Sequence, residues 1–147
     1  MKKAFSLVEL MIVVAILGIL AAIALPQFQS HATDAKETAA KNNLHVLRTA
    51  IELYSARNDI APGYPSNNPD APALEMEFRV DMLREGYLTK MPRNPFNDLD
   101  TFNVIRDDQV FPAEPTGQYG WVYMPQTKTM KLDWPGTDRK GTAYYDY

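Results

Sequence analysis

Hydrophobic and polar positions divide the chain into stretches of different period. From Leu10 to Pro26 it reads LMIVVAILGILAAIALP without a charge, and with FSLVE in front the run Phe5–Leu25 carries one charge, Glu9. That length matches the ~20 residues a helix needs to cross a bilayer core. Beyond Pro26 the pattern becomes amphipathic. Ala40, Leu44, Leu47, Ile51 and Tyr54 recur at spacings of four and three, one apolar stripe down a helix, with Lys36, Lys41, Arg48 and Glu52 mainly away from it. The spacing predicts a helix from Phe5 to about Arg57, roughly 80 Å at ~1.5 Å per residue. It stops at the turn-forming NDIAPGYP. Residues 58–73 read as a loop. Leu74, Phe78 and Met82 predict a short second helix over Ala73–Glu85, with Gly86 as its C′ residue. Thr101–Arg106, Tyr119–Met124 and Thr129–Trp134 read as strands, the last two joined through the turn Pro125–Lys128. The expected fold class is therefore α+β: a long N-terminal helix, apolar then amphipathic, packed against a small three-stranded antiparallel sheet.

Composition sharpens this division. Over the whole 147 residues the chain is 46% hydrophobic, carries a net charge of −3 and has no cysteine. The mean hydropathy of −0.32 excludes a polytopic membrane protein. The charge is too small, and of the wrong sign, for a generic nucleic-acid binder, which shows a basic patch or stripe. Without cysteine there is no disulfide framework and no thiolate metal site. Both tryptophans, all eight tyrosines and ten of the eleven prolines lie beyond Phe28. An aliphatic rod thus precedes a polar, turn-rich and aromatic head.

Lys2 and Lys3 precede the rod, so the positive-inside bias places the N-terminus in the cytoplasm and the head on the other side. A cleaved secretory signal peptide is the competing reading, with Ala22-Ile23-Ala24 as its cleavage signal. Against it stand an apolar run longer than the usual h-region and the charge of Glu9. A carboxylate near the bilayer centre costs roughly 2.5–3.5 kcal/mol even on lenient insertion scales and is normally partnered. No Lys, Arg or His lies between residues 4 and 30, so a cationic partner has to come from another chain. The other reading places Glu9 at the interface, solvated by headgroups. Pro26 removes a backbone hydrogen bond and either kinks the helix or ends it.

KKAFSLVELMIVVAILGILAAIALPQF resembles the N-terminal signal and helix of type IV pilins and of the pseudopilins of type II secretion systems. The resemblance implies a leader of residues 1–4, a transmembrane and filament-core helix over 5–28, and an extracytoplasmic head over 29–147. It implies cleavage by a prepilin peptidase between Ala4 and Phe5 and N-methylation of Phe5, with Ala4 where the family usually has glycine. The new α-amino group of Phe5, with an ordinary pKa of about 7.7–8.0, is implied to pair with Glu9 of a neighbouring subunit during assembly. Pro26 is implied to be a kink. The implied partners are other copies of the chain in a homopolymeric filament, other pseudopilins, the peptidase, an inner-membrane assembly platform, and lipid before assembly. The implied location is the bacterial inner membrane, single-pass, and then a periplasmic filament.

Two further segments, GYLTKMPRNPF (86–96) and LYSARNDIAPGYP (53–65), are similar to the pseudopilin branch, and the lack of cysteine fits that branch too. The resemblance implies that no cofactor is required, but the family's major pseudopilins bind structural calcium in the loop after the sheet. Here that loop is DWPGTDRKGTAYYDY, offering Asp133, Asp138 and Asp146; solvated acids in a terminal loop are the other reading. Catalytic signatures are missing: there is no HExxH, P-loop, G-x-G-x-x-G or G-x-S-x-G, and His31 and His45 stand about 21 Å apart along the predicted helix. The acidic pairs Asp98/Asp100 and Asp107/Asp108 fall in predicted loops. The expected function is a structural, non-enzymatic subunit of a pseudopilus. Its alternatives are a type IV pilin for adhesion, motility or DNA uptake, and an anchored or secreted binding domain. Removing Lys2 and Lys3 with the leader would leave a charge of −5.

Overall fold

Aliphatic and alanine-rich sequence with good helix propensity forms one long helix, α1 (Leu7–Asn58). The computed structural model describes residues 6–147; within α1 the side chains of residues 24–30 are outside that description. The leader, Ala4 and Phe5 therefore lie outside the described residues, and so does the side chain of Pro26 with its expected kink. The chain divides into two compact units, Met1–Lys36 and Glu37–Tyr147.

In the second unit the predicted stripe is the core-facing side of α1. Ala40, Leu44, Leu47, Ile51 and Tyr54 are all buried, and Ala50 widens the stripe. A 3₁₀ turn at Pro65–Asn67 lies in the loop before α2 (Glu75–Arg84). Phe78 and Met82, one turn apart, are the buried face of α2. Leu74 belongs to neither face: it is the extended N-cap residue, and its N–H donates to the Gly63 carbonyl at 2.9 Å. Gly86, at φ +79°, closes the helix as expected, with the Leu88 N–H reaching back to the Met82 carbonyl at 2.9 Å.

The three strands are β1 (Phe102–Val104), β2 (Trp121–Met124) and β3 (Thr129–Leu132), in spatial order β1-β2-β3. The α+β class holds, but the sheet is mixed. β2 and β3 form the predicted antiparallel hairpin, with Trp121 opposite Leu132 and Tyr123 opposite Met130. β1 runs parallel to β2, Phe102 beside Trp121 and Val104 beside Tyr123. The connection explains the correction: residues 105–120 are long enough to carry the chain back to the start of the sheet, which a parallel pair needs and a hairpin does not.

β2 is buried on both faces. Trp121 and Tyr123 join the main core of α1, α2 and β3, while Val122 and Met124 pack with Ile105 and Tyr145 in a smaller cluster behind the sheet. Period-two alternation thus serves two cores from a single four-residue strand.

Candidate functional site

Ser6 immediately precedes α1 and Glu9 lies in its first turn. The Ser-x-x-Glu spacing is that of a capping box, and a carboxylate there also meets the positive end of the helix dipole. Among the described residues no cation pairs with Glu9. Twelve large aliphatic side chains between Leu7 and Ile23 are exposed, from Val13 at 43% to Leu7 at 73%. Each is worth roughly 1.5–3 kcal/mol on full burial. Leaving all of them in water forfeits on the order of 20 kcal/mol, more than the net stability of an ordinary domain. This surface demands a cover. Among the described residues no helix is long and apolar enough to cross a membrane; the run read from the sequence, Phe5–Leu25, extends beyond the described side chains at both ends.

The head places its acidic residues in separate environments. Asp133 is fully buried and accepts the Thr116 N–H and hydroxyl at 2.6 and 2.7 Å and the Tyr119 N–H at 3.0 Å. Asp138 is buried too. One oxygen accepts the Lys140 and Thr142 N–H groups at 2.8 and 2.9 Å, and the other faces the Tyr147 hydroxyl at 3.1 Å and the Lys41 ammonium at 3.6 Å. Asp146 is paired on the surface with Lys131 at 3.1 Å. The structure does not bring the three together, and among the described residues no group of three or more His, Cys, Asp or Glu side chains could hold a metal. Calcium takes 6–8 oxygen ligands, whereas the two buried carboxylates here spend their lone pairs on the chain's own donors. The residues present do not fit a three-aspartate calcium site.

Nor do the other acids converge. Asp98 pairs with Arg93 at 2.7 Å, Asp100 with Arg79 at 3.2 Å, and Asp107 accepts the Tyr64 hydroxyl at 2.8 Å. His31 and His45 are both exposed on α1.

Side chains that the periodic pattern set aside do much of the fastening. Arg48 leaves the polar side of α1 and donates to the Met130 carbonyl at 2.7 Å and the Tyr147 carbonyl at 2.7 Å; burial pushes its guanidinium below the ordinary value. Asn94, fully buried, donates to the Gly120 carbonyl at 3.1 Å and accepts the Phe96 N–H at 2.9 Å. The tyrosine-rich end packs closely, with Tyr144 4.6 Å from the Phe96 ring centroid. Its composition was the available sequence clue.

The first 25 residues match the prokaryotic N-terminal methylation motif. The chain is 34% identical over 102 residues to the type II secretion system core protein G of Pseudomonas aeruginosa (strain PAO1), an alignment covering 66% of this chain and 70% of the relative. The chain belongs to the type IV pilin and pseudopilin family. Core protein G of Escherichia coli K12 is 26% identical over 103 residues, covering 66% of this chain and 68% of that one. The type IV major pilin PilA of Myxococcus xanthus is 49% identical, but over only 58 residues, 40% of this chain and 26% of the pilin. No solved structure matches. As a member of this family the chain resembles its pilin relatives over a shorter stretch. An alignment of 102 residues has to run past α1, so its likeness to the core G proteins includes part of the head.

Proposed function

We propose that this chain is a structural subunit of a type II secretion pseudopilus, without catalytic activity, held first in the inner membrane by a single N-terminal span and then polymerised into a periplasmic filament. The observation that carries the reading is the exposed aliphatic half of α1 in a chain whose similarity to core G proteins continues into the head. Lipid covers that surface before assembly, and the rods of neighbouring subunits cover it afterwards. In this reading prepilin peptidase cuts between Ala4 and Phe5, Phe5 is N-methylated, and the assembly platform and other pseudopilins receive the processed subunit.

Glu9 then acts as a register device. Alone in lipid, its carboxylate and the Phe5 amine of an incoming subunit are both costly; paired, each offsets much of the other's desolvation. Glu9→Ala should leave the head folded and the protein in the membrane fraction, while sheared filament yield falls at least tenfold. Normal filament yield from this variant would overturn the role given to Glu9. The pilin reading has one observation in its favour, the higher identity to pilins over their shorter match. Secretion of a type II substrate by a strain lacking the chain separates the two: it fails for a pseudopilin and persists for a pilin.

A further inference from the structure

The loop after β3 needs closure, since it must return to α1 with a buried carboxylate in it. We infer that this loop is closed by a cation carried in the chain itself: the Lys41 ammonium, seated between the Asp138 carboxylate and the Tyr147 ring, fastens residues 133–147 to α1 without a metal ion. The inference concerns the head alone and stands whether or not the chain polymerises.

Asp138 is the centre of the arrangement. Its side chain is only 4% exposed, and a buried carboxylate is costly unless hydrogen-bonded and paired. The Lys140 and Thr142 N–H groups converge on one oxygen, while the Asp138 N–H returns to the Thr142 carbonyl at 2.8 Å, so residues 138–142 form a closed turn around the side chain. The second oxygen accepts the Tyr147 hydroxyl at 3.1 Å. Lys41, half-exposed on α1, completes the set. Its Nζ lies 3.6 Å from that same oxygen and 4.0 Å from the centroid of the Tyr147 ring. One ammonium therefore meets a carboxylate and an aromatic face at once, and both attract it.

Three of the four lone-pair positions of an ionised carboxylate thus accept hydrogen bonds, and the Lys41 ammonium pairs with the carboxylate beside the fourth. A metal ion at Asp138 would have to displace backbone donors, the tyrosine hydroxyl or Lys41. The neighbouring acids do not supply a second ligand: Asp133 is committed to residues 116–119, Asp146 to Lys131, and Glu37 accepts the Tyr144 hydroxyl at 3.1 Å. Arg48, two helical turns along α1 from Lys41, holds the Tyr147 carbonyl. The tail is thereby fixed at side chain and backbone by two cations from one helix.

The test compares thermal unfolding of the full chain in detergent, in millimolar calcium and in excess chelator, for wild type, Lys41→Met and Lys41→Arg. Expected are identical wild-type midpoints in the two conditions, a fall of about 3–8 °C for Lys41→Met, and recovery of most of that loss by Lys41→Arg. Lys41 is half-exposed, so its replacement leaves the core intact and the variant folded. Limited proteolysis supplies the second readout: Lys41→Met should become sensitive at the Arg139–Lys140 segment first. A calcium-dependent rise of the wild-type midpoint would overturn the inference, and so would a Lys41→Met protein as stable and as protease-resistant as wild type.

Discussion

Leu47→Ala tests whether the amphipathic half of α1 is the keystone of the head. Leu47 is fully buried in the cluster formed with Leu44, Ile51, Trp121 and Leu132. Truncation removes about three carbons' worth of transfer free energy, near 0.8 kcal/mol each, and leaves a cavity between helix and sheet that neither rigid element can fill. The expected cost is about 3–4 kcal/mol, within the ~2–5 kcal/mol range for such changes. For a head of this size, that lowers the melting midpoint by roughly 10–20 °C. Leu53→Ala is the control: the same chemistry on the same helix, at a side chain 59% exposed. It should cost no more than about 0.5 kcal/mol. Near-UV circular dichroism of the full chain reports on the head, because both tryptophans lie there. Midpoints within about 3 °C of each other for the two variants would refute the assignment of the stripe to the core.

Two more expectations follow from the packing and the charges. At Gly120 a Cβ would collide with the backbone carbonyl of Leu99; Gly120→Ala should cost about 1–3 kcal/mol and lower the midpoint seen by tryptophan fluorescence, and an unchanged midpoint would contradict the contact. Burial alone would raise the pKa of Asp138, but the Thr142 and Lys140 N–H groups, the Tyr147 hydroxyl and Lys41 together hold it below the usual carboxylate range. A depressed folded pKa contributes stability above the unfolded value, about 3.9, and loses it as pH falls through the folded one. The midpoint gap between wild type and Asp138→Asn should therefore close below about pH 4, and a gap constant down to pH 2 would show that the charge is not what matters.

The sequence and the structure agree where one physical rule governs. The 4-3-4-3 spacing from Ala40 to Tyr54 reports helix and buried face together, because only the core side of an amphipathic helix needs to be apolar. Gly86 and the Pro125–Lys128 turn are legible for the same local reason: Gly86 and Lys128 both adopt positive φ, and the Lys128 N–H closes on the Pro125 carbonyl at 3.0 Å. The direction of β1 is different. Phe102–Val104 looks the same in a parallel or an antiparallel ladder, and the path of residues 105–120 decides it. Asp133, Asp138 and Asp146 share a loop and suggested a shared ligand. Instead each has its own set of donors, and some of these come from distant segments, Thr116 and Lys41 among them, which no local pattern announces. Arg48 and Lys41 were legible only as polar positions; their reach across to the tail depends on the packed head.

The most direct test of the filament reading is the N-terminus of the mature protein, determined by mass spectrometry on chain purified from both the membrane and the soluble fractions of its native cells. The account predicts a chain beginning at Phe5 and carrying one methyl group on its amine. A mature chain beginning at Leu25, released from the membrane, would contradict it.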